Sequence, residues 1–151
     1  NYSVQALDRS FTDSLRALKT SWVDILFLHE PILADHGNLL LALSWLQKQK
    51  KLGKARYIGL AGERLFDLPR YKDYSEGFDV FQTSSQCLTS VEKYSLRPQI
   101  QYGYFSKLRQ KHPSHIFERS DLSACDGMVL YSTRKIRRIE ELARALSISA
   151  E

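Results

Sequence analysis

The chain has 151 residues, a net charge of +5 and a pI near 9.3. Hydrophobic residues make up 43% and charged residues 26%, which excludes intrinsic disorder and collagen-like repeats and fits one globular domain over residues 1–151. The longest purely apolar run, Leu39 to Leu43, falls far short of the about 18 residues a membrane helix needs, so no membrane partner is expected. Two cysteines, Cys87 and Cys125, make no disulfide framework and read as reduced thiols of a cytoplasmic protein. The first residue is Asn1, so the native start is expected to lie upstream, and no targeting segment is expected. The basic excess suits an anionic small molecule or a nucleic acid, and charge alone does not choose between them.

Val4, Leu7, Phe11, Leu15 and Leu18 recur at spacings of three and four, which predicts a helix over residues 4–19 with Ser3 as its N-cap. Residues 23–28 read Val-Asp-Ile-Leu-Phe-Leu, a short apolar strand expected to be covered on both faces, and Pro31 closes it. A leucine-rich helix is predicted over 38–52, capped by Asn38. Lys48, Lys50 and Lys51 lie in its last turns, where cations suit the negative end of the dipole, and Gly53 stands at the left-handed C-cap. A second strand is predicted at 56–60, then the turn Ala61-Gly62 and a short helical piece from Glu63 that Pro69 disturbs. A third strand follows at 78–82. Thr89 and Glu92 form a capping-box pattern for a helix ending before Pro98. A fourth strand at 99–105, a polar loop or broken helix at 106–124 and a fifth strand at 128–131 come next. Ile136, Ile139, Leu142 and Leu146 mark a closing helix. Strands alternating with helices argue for a parallel α/β sheet, and periodicity does not say whether it is open or closed into a barrel.

In parallel α/β folds the functional end is where the strands finish. His29 stands there, after the first strand. Two readings remain open: a proton-handling or polarising side chain, or a strand-end histidine satisfied by nearby backbone. Glu30 and Asp24 are the nearby carboxylates; Asp24 falls inside the strand and is expected to have a structural partner. Gln82, at the end of the third strand, offers a carboxamide to a ligand or simply a polar cap. Tyr102 and Tyr104 alternate with Gly103 and share one face, as core residues or as a platform for a flat ligand.

After the fifth strand come Ser132, Thr133, Arg134, Lys135, Arg137 and Arg138. Helix N-termini prefer acids, so this basic start points to a docked anion such as a phosphate, or else to a solvated basic face. His112 and His115 lack the cysteine or acid pattern of a metal site, so no metal is expected. Lys107, Arg109 and Lys111 read as solvated surface.

These residues resemble the aldo-keto reductase superfamily. Asp13-Ser14-Leu15-Arg16-Ala17-Leu18 followed by Val23-Asp24-Ile25-Leu26-Phe27-Leu28-His29-Glu30-Pro31 resembles its "SL-x-x-L … yiDL-x-x-iH-x-P". Lys51 through Gly62 resembles its "GKir-x-iGvSN", and Gln82, the Tyr102 segment and the Ser132 segment follow in the family's order. The resemblance implies part of a (β/α)8 TIM barrel, about five strands of it, with the first three βα units absent. It implies NAD(P)H-dependent reduction of a small-molecule carbonyl substrate by hydride transfer, with NADPH as cofactor and NADH as the alternative.

By the same resemblance His29 orients and polarises the substrate carbonyl, Gln82 bonds the nicotinamide carboxamide, and Tyr102 stacks on the nicotinamide. Ser132, Arg134 and Arg138 grip the adenosine 2′-phosphate. Ala61-Gly62 replaces the family's Ser-Asn, which leaves backbone where two side chains would bond the carboxamide. Tyr104 and Ser106 replace its usual Pro and Gly. The units that would carry the cofactor-binding aspartate, the proton-donating tyrosine and its lysine are absent from the matched stretch. The chain alone is therefore expected to be inactive or weakly active, and the resemblance leaves open whether this shortened form holds a cofactor.

A different reading is a non-catalytic binding or assembly protein. Five strands of a barrel leave two open edges, which a second copy or a complementing N-terminal fragment would cover. Nucleic-acid binding through Lys48 to Arg56 and Arg134 to Arg138 has no recognition motif behind it and is not expected.

Overall fold

The computed structural model describes residues 2–31, 36–62, 74–84, 100–103 and 128–148. Helix α1 spans Val4–Leu18, strand β1 Val23–His29, helix α2 His36–Lys51 and strand β2 Ala55–Ala61. A short 3-10 turn at Ser75–Gly77 precedes β3, Val80–Ser84; then come β4, Ile100–Tyr102, β5, Met128–Val129, and helix α3, Ile136–Ile148. The five strands are parallel and stand in chain order, β1-β2-β3-β4-β5, each pairing with the next. The expected parallel α/β sheet is therefore present. Among the described residues no helix is long and apolar enough to cross a membrane.

Both ends of α1 follow from local chemistry. The Ser3 hydroxyl accepts the Ala6 amide at the start. At the other end Lys19 takes φ +54, and its amide and that of Thr20 bond the carbonyls of Arg16 and Leu15. That is a Schellman closure made without glycine. Gly53, at φ +70, ends α2 in the left-handed conformation expected of it. Asn38 does not cap α2: the helix starts at His36, so Asn38 lies inside its first turn. Periodicity fixes the phase of a helix better than its ends.

One face of the sheet packs on the helices. Leu28, Ile58, Leu60 and Phe81 meet Leu39, Ala42, Leu43, Trp45 and Leu46 of α2 and Phe11 of α1 in a single buried cluster. Phe11 stands edge-on to Trp45, and the Trp45 indole N–H reaches Asp8 at 3.3 Å, which seats α1 on α2. The expectation that β1 is covered on both faces is not met. Asp24 and His29 are exposed, and Ile25 and Phe27 are only half-buried. β1 is an edge strand whose second face carries no helix among the described residues, so Asp24 needs no buried partner.

Strand β3 begins two residues later than its apolar start suggests. The Phe78 amide closes the 3-10 turn on the Ser75 carbonyl at 3.2 Å, and its ring meets Phe81 edge-on. Gln82 consequently lies within β3 and not at its end. α3 forms as its periodicity predicts, although Ile136 and Ile139 are 77% and 52% exposed. The helical piece from Glu63, the Thr89 helix, Tyr104, residues 106–124 with His112 and His115, and both cysteines lie outside the described residues.

Candidate functional site

Side chains alternate across a strand, so Leu28 packed on the helices sends His29 to the opposite face. In the sheet register His29 stands opposite Ala61, Ala61 opposite Gln82, Gln82 opposite Ile100, and Ile100 opposite Met128. Neighbouring strands lie about 4.8 Å apart, which puts the His29 and Gln82 backbones roughly 10 Å from one another. His29 is exposed and Gln82 half-buried. Tyr102 is opposite Ser84, two residues beyond the Gln82–Ile100 pair, and so lies on the same face one level higher. It is half-buried and is followed by Gly103 at φ +74.

Ala61 belongs to β2, and the main chain at Ala61-Gly62 is held firmly. The Gly62 amide donates to the Gln82 carbonyl at 3.1 Å, and the fully buried Thr83 hydroxyl donates to the Gly62 carbonyl at 3.0 Å. Gly62 takes φ +156, a backbone that favours glycine.

Ser132 and Arg134 follow β5, the strand at the opposite edge of the sheet from His29, and Arg138 lies in α3. All three are exposed. The Thr133 hydroxyl accepts the Lys135 amide at 3.2 Å and fixes the approach to α3. No acid lies in the first turn of α3. Arg137 is bridged to Glu141 at 2.9 Å, whereas neither Arg134 nor Arg138 forms an ion pair among the described residues. The basic helix start is thus solvent-facing.

Several contributors carry no sequence signal. Tyr2 donates its hydroxyl to the His29 and Glu30 carbonyls. Glu30 adopts φ +45, and its amide donates to the Ala61 carbonyl at 2.7 Å. Among the described residues no group of three or more His, Cys, Asp or Glu side chains could hold a metal ion.

The aldo/keto reductase family matches this sequence over residues 1–98. That match covers about two-thirds of the chain, and the chain belongs to this family. Solved structures agree on the fold. An aldo-keto reductase from Bacillus halodurans in its holo form superposes with a TM-score of 0.71 at 15% identity, over 97% of this chain and 62% of that one. One from Brucella melitensis gives 0.70 at 17% identity, over 95% and 62%. One from Klebsiella pneumoniae, in complex with NADP and acetate, gives 0.60 at 18% identity, over 93% and 59%. The chain spans about three-fifths of the length of these structures and resembles that part of their TIM barrel. No curated protein matches it.

Proposed function

We propose that this chain forms the part of an NAD(P)H-dependent carbonyl reductase that receives the nicotinamide and the adenosine phosphate. The observation that carries the reading is the transverse row His29, Ala61, Gln82, paired across one face of the sheet where β1 and β2 finish. The residues fit such a cofactor. The half-buried Gln82 presents a carboxamide, which pairs with another carboxamide as both donor and acceptor. Gly62 opens the backbone beside it, and Tyr102 sits one level above on the same face. Ser132, Arg134 and Arg138 offer a hydroxyl and two guanidinium groups at an exposed helix start, a donor set suited to a phosphate. This favours NADPH over NADH.

When bound, the reduced nicotinamide supplies a hydride. His29 would hold and polarise the carbonyl oxygen of the substrate through an imidazole N–H. None of the assigned residues is a general acid, and such catalysis is worth about 10²–10⁴-fold. The 151-residue chain by itself is therefore expected to bind cofactor with little turnover. Cys87 and Cys125, read as reduced thiols, support a cytoplasmic location.

Titration calorimetry with NADPH tests the reading. Micromolar binding that weakens at least tenfold in an Arg134→Ala/Arg138→Ala double variant supports it. No detectable binding to the folded chain overturns it.

A second reading rests on the sheet itself. β1 and β5 are edge strands, and on the face away from the helices Tyr57 and Met128 are 40% and 59% exposed. Open edges of this kind recruit another chain, so a second copy or a complementing fragment is expected to cover them. Light scattering decides: a monodisperse, well-folded monomer counts against assembly.

A further inference from the structure

The end of β1 is held by a side chain that the cofactor reading does not use. Tyr2, just ahead of α1, is half-buried, and its ring packs against the core cluster. Its hydroxyl donates to the His29 carbonyl and, at 2.8 Å, to the Glu30 carbonyl, a three-centre bond from one proton. The Glu30 amide is taken up by the Ala61 carbonyl at 2.7 Å. The peptide leaving His29 is therefore gripped at its carbonyl by Tyr2 and at its amide by β2. Glu30 is held at φ +45, a conformation that L side chains keep only where the surroundings over-determine it. Burial pushes the Tyr2 phenol up, and the neighbouring Glu30 charge pushes it further the same way, so the hydroxyl remains a proton donor across the neutral range.

We propose that Tyr2 is a positioning residue for His29, clamping the two carbonyls that follow Leu28 so that the imidazole is presented at a fixed place above the strand end. The functional meaning rests on the role proposed for His29, but the clamp is testable without cofactor. The experiment follows the His29 ring resonance by NMR, assigned with His29→Gln, together with exchange of the Glu30 amide. In Tyr2→Phe the ring stays and only the donor goes. The Glu30 amide is then expected to exchange roughly tenfold faster, as for loss of one hydrogen bond. The His29 resonance is expected to move towards that of a free histidine, while the mid-strand Ile58 amide, bonded to Asp79, is unchanged. Glu30→Gln, which keeps the backbone and removes the charge, should leave the His29 resonance as in the wild type.

An unchanged His29 resonance in Tyr2→Phe overturns the proposal. So does an equal change in Glu30→Gln, because charge and not the clamp would then place the ring. Should Tyr2→Phe fail to fold, the wild-type chain still decides. Raising the pH until Tyr2 ionises removes the donor, so the His29 and Tyr2 ring resonances should share one alkaline midpoint. A His29 resonance that ignores the Tyr2 midpoint rules the clamp out. Failure of NADPH to bind would sink the cofactor reading and leave these outcomes untouched.

Discussion

Where the strands begin, the sheet is tied by a pair of charges; where they finish, it is tied by neutral hydroxyl and main-chain bonds. At the starting end Asp79 places both carboxylate oxygens 2.7 Å from the Lys50 ammonium, and one of them also accepts the Ile58 amide at 2.9 Å. The Asp79 amide returns to the Ile58 carbonyl, so one side chain joins α2, β2 and the entry to β3. At the finishing end the restraints are the Tyr2 clamp, the Glu30–Ala61 bond and the Gly62 bonds to Gln82 and Thr83. Three left-handed or near-left-handed residues lie there, Glu30, Gly62 and Gly103, each just after a strand. The difference is a division of labour. Among the described residues, the Lys50–Asp79 pair is committed to holding the starting end, while His29 and Gln82 form no side-chain hydrogen bond at the other.

The largest effect should come from the buried half of the starting end. Ile58 is 2% exposed and lies in the core cluster. Ile58→Ala is expected to cost about 2–5 kcal/mol, read as a lower urea midpoint. Asp79→Ala comes next, at about 1–3 kcal/mol, because the Ile58 amide loses its acceptor. Partial burial alone would raise the Asp79 carboxyl, but the Lys50 hydrogen bond, the Ile58 amide and the Lys50 charge together bring it below the ordinary carboxylate value. A carboxyl lowered in the folded state stabilises above its unfolded pKa and loses that contribution as pH falls through the folded one. The gap between wild type and Asp79→Ala should thus be full at neutral pH and close below about pH 4. A gap constant from pH 7 to pH 3 would show that the Lys50–Asp79 pair is fully screened at its half-exposed position.

Much of this division was legible in the residues. The stripe from Val4 to Leu18, the short apolar run of β1 and Gly53 carry their periodicities and cap openly, and each formed as expected. The position of His29 was legible too, because it follows an apolar run and stands where β1 finishes. What stayed hidden is long-range. Tyr2 meets Glu30 across 28 residues and Asp79 meets Ile58 across 21. Neither pairing leaves a local pattern, since a tyrosine before a helix and an aspartate before a strand are ordinary. The exposure of Asp24 was misjudged for a related reason: an apolar strand looks the same in sequence whether it lies at the centre of a sheet or at its edge.

The smallest expected effect on stability is also the sharpest test of the comparison. His29 is exposed at the end of an edge strand; it meets β2 through backbone pairing and Tyr2 through its own carbonyl. His29→Ala keeps all of those main-chain groups. Its unfolding free energy from urea titration should match wild type to within about 0.5 kcal/mol, the usual range for a surface change. NADPH affinity should hold as well, because the carboxamide and phosphate contacts are assigned to other residues. Carbonyl reduction in a chain complemented to a full barrel should fall, with the loss in kcat if the imidazole acts on the developing oxyanion and in KM if it only binds substrate. A variant that instead unfolds early would mean that the imidazole braces the strand end, and the two ends of the sheet would then differ less than their hydrogen bonds suggest.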